Sequence, residues 1–552
     1  MHRFLWALAT LLLLPATASA EVVLENYRVP TVDGATINVE VARDTADGDV
    51  PVLLTYSPYN TLSENGGNIA DGDAWVGKGY ARAYADVLGT RGSTGCWDYG
   101  GAEETQSGVD VVKFLAAQDW SNGNVGMIGG SYDGTTATMV ASRGDDVPEL
   151  KAIVPIAAIS RWYGYAYGGG VRYFLNSENP TDEGFDTPLL FDFGFALTVP
   201  LPTHEAFAEA TESRVQPCEQ AAHTEKGYDL SPDYDDFWVE RDYRRHAADF
   251  RAAVLIAHGW QDFNVKQEEA IALWDAIPSD AVPLKRMFLT QGSHGSPGGA
   301  LWNDLLEAFL GRYLKGEDTG VEQSPAVITT GRTVDDTGAY EDLEPREEAA
   351  WPPVGTTDTT LFIRRTFDQD LPAELPPPGT GETGTLADTP SATEDVFTWV
   401  DTGAMSEEIT TRDPLNERGH GYYSLFHKGE PLAEPLRLAG RAVLDATVIG
   451  SGGTTLTPVL VDVAPDGTLT TVARGFLNLD YRNGLEQAEP TTDWAHARVE
   501  FLPQDFTFPA DHSIGLLLQG SNTVWALPGT PGPVNIDMGG EDASKLVLPV
   551  AP

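Results

Sequence analysis

Short apolar runs alternate with amphipathic segments through the first half of the chain. The runs are short and rich in β-formers, which predicts strands rather than helices. They cover 52–56, 81–87, 125–130, 152–156, 253–257 and 287–290. Residues 104–118, 135–142 and 301–314 have the pattern of helices. Apolar strands separated by helices predict a mainly parallel sheet that is covered on both faces.

This alternation changes twice further along the chain. Residues 160–251 are rich in aromatic, glycine and charged residues and separate two predicted strands. We expect this insertion to lie over the carboxyl ends of the strands as a cap that shapes substrate access. Residues 316–353 have the composition of a linker. Beyond the linker, short alternating runs predict strands at 360–364, 442–448, 459–463, 468–472 and 513–518.

Turn-forming residues separate these later strands. Pro465, Asp466 and Gly467 lie between two of them and predict a hairpin turn. The stretch 371–390, rich in Pro, Gly and Thr, predicts an extended surface loop. Many short strands with Gly and Pro turns favour a β-sandwich or jelly roll in the second half of the chain.

The amino terminus has the pattern of an export signal. His2 and Arg3 precede an apolar run at 4–14, and small residues at 18–20 form a cleavage site. The run is short for a membrane span, although a retained anchor is the alternative. We therefore predict that residues 1–20 are removed and that the mature protein is secreted, either extracellular or periplasmic.

The net charge limits the classes of partner that the protein can bind, and the cysteine content bears on disulfide bonds and metal sites. The 552 residues carry a formal net charge of −47, and a surface this acidic repels nucleic acid and anionic membranes. The length predicts two or three domains. In an oxidising compartment Cys96 and Cys218 are expected to form a disulfide, two buried thiols being the alternative. No Cys/His cluster has the spacing of a zinc site, so neither a metal nor a cofactor is predicted.

Ser131 is the most informative polar residue of the chain. It follows the predicted strand 125–130, precedes the predicted helix 135–142, and has glycines on either side at 129, 130 and 134. A sharp turn between a strand and a helix is what a nucleophile elbow requires. The pattern therefore predicts a nucleophilic serine, with an ordinary turn serine as the alternative.

A serine nucleophile needs a base and a group that orients the base. Asp262 follows the strand 253–257, and His294 follows the next strand, which gives the order of an α/β-hydrolase triad. Taken singly, Asp262 could be a turn or helix-capping residue and His294 a structural histidine of a loop. His258 competes for the role of base, but its place before Gly259 favours the end of the strand.

The oxyanion of acyl transfer needs hydrogen-bond donors. The backbone N–H of Tyr132, the residue after the nucleophile, is one candidate. Tyr59, in the loop after the first strong strand, could donate its hydroxyl. From the residues alone, a packing role for Tyr59 is at least as good.

These motifs resemble the serine hydrolases grouped as Xaa-Pro dipeptidyl-peptidases and cocaine-esterase-like acyl hydrolases. The elbow of that family reads G-x-S-Y-x-G, which residues 129–134 match. Tyr59 matches the oxyanion tyrosine of the family. Residues 86–93 resemble its D-x-R-G-T-G-x-S segment, with Leu88 where arginine is common, and are expected to organise the loop beside the elbow.

The resemblance implies an α/β fold of a definite layout. It implies an α/β-hydrolase core over 21–159 and 252–340, a helical cap over 160–251, and an all-β jelly-roll domain over 341–552. It also implies the roles of nucleophile for Ser131, acid for Asp262 and base for His294, with Tyr59 and Tyr132 at the oxyanion.

The subfamily is less sharply defined. Residues 258–266 and 158–163 resemble the prolyl peptidase versions of the acid loop and the cap entry. Amino-acid ester hydrolases carry extra acidic residues after the triad acid, where this chain has Phe263 and Asn264. We therefore predict release of Xaa-Pro dipeptides, with ester or amide hydrolysis as the alternative and a non-catalytic secreted binding protein as a remote one.

Substrate recognition is expected in the cap. A dipeptidyl-peptidase must neutralise a free amino terminus, and Glu178, Asp182 and Glu183 are candidates by location. Trp162, Glu178 and Trp260 are assigned to substrate contact. The expected partner is a short peptide or other small molecule, and a homodimer is compatible with the sequence.

Overall fold

The computed structural model of the chain describes residues 22–46, 48–59, 74–173, 231–365, 384–392, 395–405 and 424–552. The predicted signal at 1–20, the second cysteine Cys218, and the candidates Glu178, Asp182 and Glu183 lie outside these ranges. In the part of the chain that is described, no helix combines the length and apolarity needed to traverse a bilayer.

A central sheet forms the first half of the protein. Its strand order is β1–β2–β4–β3–β5–β6–β9–β10–β11, antiparallel at β1–β2–β4 and parallel from β4 onward. The short strands β7 and β8 form a separate hairpin at the cap entry. The strands are β1 Val22–Pro30, β2 Thr36–Asp44, β3 Val50–Ser57, β4 Ala81–Asp86, β5 Ser121–Gly130, β6 Leu150–Ile156, β7 Tyr167–Gly168, β8 Val171–Arg172, β9 Ala253–Gly259, β10 Lys285–Thr290 and β11 Val327–Val334.

Helices cover both faces of this sheet. The α-helices are α1 Ala102–Ala116, α2 Tyr132–Ala141, α3 Trp162–Ala166, α4 Asp236–Glu240, α5 Glu268–Ala276 and α6 Ala300–Leu310, which continues as a π-helix over Gly311–Lys315. Short 3₁₀ turns occupy Gly144–Asp146, Tyr243–Asp249, Val321–Gln323, Leu479–Tyr481 and Gly540–Asp542. The predicted helices 104–118, 135–142 and 301–314 thus correspond to α1, α2 and α6.

The period of two along β3 shows why its sequence is mostly apolar. Val52, Leu54 and Tyr56 pack into one hydrophobic cluster, and Leu53 packs into the cluster on the opposite face. All four residues are fully buried. Side chains of a strand alternate between the two faces, so a strand covered on both sides is mainly apolar. The polar residues of β3, Thr55 and Ser57, are buried with hydrogen-bond partners.

The second half of the protein is an all-β domain. One layer has the order β21–β20–β25–β16–β14–β13–β27–β17–β24, and the other has β23–β18–β26–β15. The two layers are joined where β18 also pairs with β27. The strands that follow β11 along the chain are β12 Tyr340–Glu348, which pairs with β11, and then β13 Thr357–Arg365, β14 Gly384–Ala387, β15 Val396–Asp401, β16 Leu425–Lys428, β17 Leu436–Gly440, β18 Val443–Ile449, β19 Thr455–Leu456, β20 Val459–Val463, β21 Leu469–Arg474, β22 Leu477–Asn478, β23 Ala495–Glu500, β24 Gln504–Phe508, β25 Ser513–Leu518, β26 Gly532–Asp537 and β27 Lys545–Ala551. The two layers enclose a core that includes Leu444, Leu460, Phe506 and Leu548.

The predicted hairpin at 465–467 is present. β20 and β21 are antiparallel, the Ala464 N–H donates to the Thr468 carbonyl at 2.9 Å, and Gly467 has φ +91°. Only part of the predicted loop 371–390 is described. Residues 384–387 form β14, which pairs with β13, so the loop prediction is wrong for these four residues. The pairing strand lies elsewhere in the sequence, and no pattern near residue 384 reveals it.

The predicted linker at 316–353 is wrong for most of its length. β11 pairs with β10 in parallel and with β12 in an antiparallel hairpin, so the predicted boundary at 340/341 falls at the start of β12. Arg332 of β11 also lies opposite Phe506 of β24. β12 is an edge strand whose side chains are mostly exposed, and its sequence is acidic. It therefore lacks the apolar pattern by which a strand is predicted.

A buried ion pair holds the two halves of the protein together at this junction. Asp505 of β24 is fully buried and accepts two hydrogen bonds of 2.9 Å from Arg437 of β17. It also accepts one of 3.0 Å from the hydroxyl of Thr329 in β11. One carboxylate therefore joins the central sheet to the β domain.

We predict that Asp505→Ala lowers the free energy of unfolding by about 3 kcal/mol or more, because the buried Arg437 charge then keeps only Glu348 as a partner and loses both hydrogen bonds to Asp505. The control is Asp342→Asn, which removes an ion pair between Arg332 and a half-exposed carboxylate and should cost about 1 kcal/mol or less. Guanidinium denaturation measures both. Equal losses in the two variants would contradict the role of Asp505.

Candidate active site

The parallel strands bring four predicted site residues to one edge of the sheet. β3, β5, β9 and β10 all run in the same direction, and their ends are in register, with Gly130 opposite Ile156, Ile156 opposite Ala257, and Thr290 opposite Gly259. Tyr59, Ser131, Asp262 and His294 each follow the end of one of these strands. The topology therefore brings these four residues to the same edge although they lie far apart in the sequence.

Ser131 has a strained backbone. Its φ is +61° and its ψ −126°, a conformation that non-glycine residues rarely adopt. Its N–H donates to the Ile156 carbonyl at 2.9 Å, and its carbonyl accepts from the N–H groups of Gly134 and Thr135 at 3.1 and 3.0 Å. The side chain is partly exposed. This is the geometry of a nucleophile elbow.

The two outer glycines of the elbow are required by close packing. A Cβ on Gly129 would lie 2.3 Å from the Cβ of Asp133. A Cβ on Gly134 would lie 2.7 Å from the Gly129 carbonyl oxygen and 2.9 Å from the Ile156 nitrogen. The first turn of α2 therefore folds back onto the end of β5, which explains a glycine at 134 rather than at 133.

Asp262 is buried, and both of its carboxylate oxygens accept hydrogen bonds. Its Oδ1 accepts the N–H groups of Asn264 and Val265 at 2.9 and 3.0 Å, and its Oδ2 lies 2.7 Å from Nδ1 of His294. Burial favours the neutral acid, but the hydrogen bonds with His258 and His294 outweigh it and lower the pKa of Asp262 to about 2. The group is a carboxylate at neutral pH.

His294 is oriented by this carboxylate. With the Nδ1–H donating to Asp262, the lone pair that can take a proton is on Nε2. The side chain is one-fifth exposed, in contrast to the fully buried Asp262. An imidazole held in this tautomer at the sheet edge of Ser131 can act as a general base.

His258 supports the acid rather than acting as the base. It lies inside β9, is buried, and its Nε2 is 2.9 Å from the Val265 carbonyl and 3.3 Å from Oδ2 of Asp262. A group enclosed in this way cannot reach a substrate. Its position at the end of the strand agrees with the sequence prediction.

The loop that carries Asp262 and the loop that carries His294 are joined by backbone hydrogen bonds. The N–H groups of Trp260 and Gln261 donate to the carbonyls of Thr290 and Gly292 at 2.7 and 3.1 Å. A Cβ on Gly259 would lie 2.2 Å from the Gly292 carbonyl oxygen. The contact is therefore tight enough to fix the two loops relative to each other.

Tyr132 is anchored below the elbow by groups that the sequence did not indicate. Its hydroxyl donates to Oε1 of Glu104 at 2.8 Å and accepts from the indole of Trp97 at 2.8 Å. Burial raises the pKa of Glu104 to about 8, against the opposing hydrogen bonds from Gly100 and Tyr132. In the sequence, Glu104 is only the first residue of the predicted helix 104–118.

Tyr59 is held through its backbone. Its N–H donates to Oγ of Ser57 at 3.0 Å, and its carbonyl accepts from Nη1 of Arg91 at 2.8 Å. Its ring packs edge-on against the ring of Tyr132, with centroids 6.4 Å apart. Arg91 belongs to the segment 86–93, which was expected to organise the loop beside the elbow.

The two tryptophans assigned to substrate contact are buried in the protein. The indole of Trp162 donates to the hydroxyl of Tyr243 at 2.8 Å, and the indole of Trp260 donates to Thr329 at 3.2 Å. Each is 1% exposed. We correct their assignment to packing, because aromatic residues near a cap can serve the core as readily as a cleft. The third residue of that assignment, Glu178, lies outside the described residues.

Cys96 is disulfide-bonded and is followed by Trp97, which contacts Tyr132. Cys218, the other cysteine of the chain, is not among the described residues. Over the described ranges, no group of three or more His, Cys, Asp or Glu side chains is placed to hold a metal ion. The described arrangement offers a serine, an oriented imidazole and a buried carboxylate, which is the chemistry of acyl transfer.

Two family models match the chain. Residues 33–296 match X-Pro dipeptidyl-peptidase (S15 family), and residues 319–542 match the X-Pro dipeptidyl-peptidase C-terminal non-catalytic domain. A putative Xaa-Pro dipeptidyl-peptidase of Streptomyces avermitilis is 29% identical over 470 residues, covering 76% of this chain and 59% of the relative. Another, of Bacillus cereus, is 27% identical over 504 residues, covering 86% and 77%. The matched part of the chain thus spans less than two thirds of the Streptomyces relative.

A solved structure shares the whole architecture. A CocE/NonD family hydrolase of Staphylococcus aureus superposes with a TM-score of 0.73 at 18% identity, covering 96% of this chain and 94% of that one. At this identity the likeness establishes the fold. The chain is an α/β-hydrolase with a C-terminal β-sandwich domain.

We predict that Asp262→Asn lowers kcat on an aryl ester by about 10⁴-fold, because an amide no longer fixes the Nδ1–H tautomer of His294. The matched control is Asp462→Asn in the β domain, where a buried Asp462 carboxylate lies 2.7 Å from Nδ1 of His512. The control should lose stability and keep its kcat. Comparable inactivation of both variants would argue against a specific role for Asp262.

We predict that Gly134→Ala abolishes rapid labelling of the protein by a fluorophosphonate and costs about 1–3 kcal/mol of stability, because the new methyl group forces α2 away from β5. Gly298→Ala is the control, since a Cβ there meets no atom within 4 Å. A Gly134→Ala variant that is labelled as fast as the wild type would show that the elbow tolerates the shift.

Proposed function

The chain belongs to the X-Pro dipeptidyl-peptidase (S15) family of serine hydrolases, and from this premise we propose that it releases Xaa-Pro dipeptides from peptide amino termini through an acyl-enzyme. The observation that carries the proposal is the 2.7 Å contact between His294 and Asp262 at the sheet edge where Ser131 adopts its strained conformation. A protein that only bound ligands would have no need of this arrangement.

In the proposed reaction, Oγ of Ser131 attacks the carbonyl carbon of the proline residue while Nε2 of His294 takes its proton. The imidazolium is stabilised by the Asp262 carboxylate. His294 then gives the proton to the leaving amine as the C–N bond breaks, which leaves the dipeptide as an ester on Ser131. A water molecule, deprotonated by His294, hydrolyses the ester and restores the serine.

The negative charge that forms on the carbonyl oxygen requires donors aimed at it. We assign the N–H of Tyr132 and the hydroxyl of Tyr59 to this task. Their support is the edge-on packing of the two rings and the anchoring of each residue by buried groups. The N–H of the residue after the nucleophile lies at the amino terminus of α2, where the helix dipole favours an anion.

The choice of a peptidase rests on the family and on the acid loop. Phe263 and Asn264 follow the acid, where an amino-acid ester hydrolase would place carboxylates. The carboxylate that would neutralise a substrate ammonium is proposed in the cap, at Glu178, Asp182 or Glu183, outside the described residues. Hydrolysis of small esters or amides uses the same chemistry and differs only in this recognition.

We also propose that the enzyme acts outside the cytoplasm. The export signal at 1–20 supports this, and so does the disulfide bond of Cys96, since such bonds persist in oxidising compartments. The proposed partner is a short peptide substrate, and the acidic surface argues against nucleic acid or anionic membranes as partners.

The test compares kcat/KM for an Ala-Pro anilide, its N-acetylated form and a simple aryl ester. We predict that acetylation lowers kcat/KM on the order of 10⁴-fold, because the carboxylate that binds the substrate amino terminus is then left without its ammonium partner. Ser131→Ala should be inactive on all three. Equal rates on the free and acetylated anilides would favour the esterase or amidase alternative, and an unchanged Ser131→Ala would end the serine-hydrolase proposal.

A further inference from the structure

Glu104 is a buried acid that takes no part in the proton transfers of the proposed reaction. It lies in the first turn of α1 and has no exposed surface. Its Oε2 accepts the N–H of Gly100 at 2.8 Å. The hydroxyl of Tyr132 lies 2.8 Å from Oε1 and 3.0 Å from Oε2. Burying a carboxyl costs free energy that an apolar side chain would not cost. Stability of the fold alone therefore gives no reason for an acid at this position.

The acid contacts the residue that follows the nucleophile. Tyr132 is the first residue of α2, directly after Ser131, and is 4% exposed. Its hydroxyl also accepts the indole N–H of Trp97 at 2.8 Å. Its ring packs against the rings of Trp97, Trp162 and Tyr59, with centroids 5.8, 5.3 and 6.4 Å away. A side chain that is hydrogen-bonded at its end and packed on its faces leaves its own backbone little freedom.

The loop before α1 is fixed on its other side by residues near the end of the predicted cap. Nη2 of Arg241 donates to the carbonyl of Asp98 at 2.9 Å. The hydroxyl of Tyr243 donates to the carbonyl of Gly100 at 2.6 Å, and a Cβ on Gly100 would lie 2.4 Å from that hydroxyl. The loop that binds the carboxyl of Glu104 is therefore closely packed and gives the acid a fixed support.

The environment of Glu104 favours its neutral form. Burial raises the pKa of Glu104 to about 8; the carboxylate of Asp98 adds to this, while the hydrogen bonds from Gly100 and Tyr132 and the charge of Arg241 oppose it. Glu104 is therefore mostly uncharged at pH 7. Burial also raises the pKa of the tyrosines that face it, so they stay neutral while Glu104 titrates. These are Tyr56, Tyr132 and Tyr243.

We propose that Glu104 is a positioning residue, which directs the backbone N–H of Tyr132 at the oxyanion by holding the Tyr132 hydroxyl. The inference rests on the oxyanion role that the proposed function gives to this N–H. At the first position of a helix, the N–H has no acceptor inside the helix. Its direction is set by the elbow on one side and by the fixed ring on the other. Errors of about 1 Å in such a geometry can cost on the order of 10²-fold in rate.

The test uses the full-length enzyme and an aryl ester, a substrate class that the peptidase and esterase proposals share. We expect Glu104→Leu to lower kcat about 10- to 100-fold with little change in KM, since the lost contact matters in the transition state. Glu104→Gln should keep kcat close to wild type at pH 7, because its amide still bonds to the hydroxyl of Tyr132. Ser107→Ala is the matched control. It removes a buried 2.8 Å hydrogen bond between the same helix and the hydroxyl of Tyr56, and should keep kcat near wild type.

The pH profile supplies a readout that a packing role would not change. In the wild type, kcat should fall about 3- to 10-fold above pH 8, because ionised Glu104 places a negative charge on the side of Tyr132 away from the oxyanion and disfavours the second charge. Glu104→Gln cannot ionise and should lack this fall. Identical alkaline profiles for the wild type and Glu104→Gln would count against the inference.

Binding of an aryl trifluoromethyl ketone separates this inference from the proposed function. Oγ of Ser131 adds to its carbonyl carbon, His294 takes the proton, and the carbonyl oxygen becomes an oxyanion. Glu104→Leu should weaken the inhibition constant by about the same factor as it lowers kcat/KM, and should leave binding of the acid product unchanged.

The two hypotheses fail in different ways. If Glu104→Leu keeps the wild-type kcat and inhibition constant, or weakens product binding equally, the positioning role is overturned and the proposed function stands. If the wild type neither hydrolyses the ester nor binds the ketone, the proposed function fails and the inference fails with it. Should Glu104→Leu not fold, Tyr132→Phe removes the same hydrogen bond and supplies the same comparison.

Discussion

A serine held in a left-handed backbone conformation at the end of a parallel strand is the constraint on which the site depends. That conformation costs on the order of 1–3 kcal/mol and persists only because the surroundings over-determine it. Here the Ile156 carbonyl holds the N–H of Ser131, and the first turn of α2 holds its carbonyl. The close approach at Gly129 and Gly134 leaves the turn no other path. The serine side chain is thereby presented at the edge where the other strands end.

The buried carboxyls around this turn are distinguished by their hydrogen bonds. Asp262 has two backbone N–H donors and two imidazoles, and its pKa falls to about 2. Glu104 is equally withdrawn from water with fewer opposing partners, and burial raises its pKa to about 8. The first is fit to stabilise a cation on His294. The second fixes Tyr132, the residue after the nucleophile.

Much of this could be predicted from the sequence because it depends on local pattern. Strands that are buried on both faces are mainly apolar, and the residues of the elbow, such as Gly129 and Ser131, are close together in sequence. The order of Asp262 and His294 then follows from parallel strands that end at one edge. Neither inference needs a contact between distant residues beyond that topology.

The parts that sequence reasoning missed depend on long-range contacts. β11 looks like part of a linker because its partners β10 and β24 lie in other parts of the chain, and β12 does so because its acidic side chains are mostly exposed. The burial of Trp260 depends on Thr329 and Trp351. The β domain also braces the acid loop, since Gln504 donates to the Trp260 carbonyl at 3.2 Å and Gln267 donates to the Pro503 carbonyl at 3.2 Å. Such contacts leave no periodic signal. The covalent chemistry assigned to Ser131 can be observed directly by rapid-quench mass spectrometry of the enzyme turning over an activated Ala-Pro ester. The account predicts one transient adduct with the mass of the Ala-Pro acyl group on the peptide that contains Ser131. Turnover with no covalent species, or with the adduct on another residue, would contradict it.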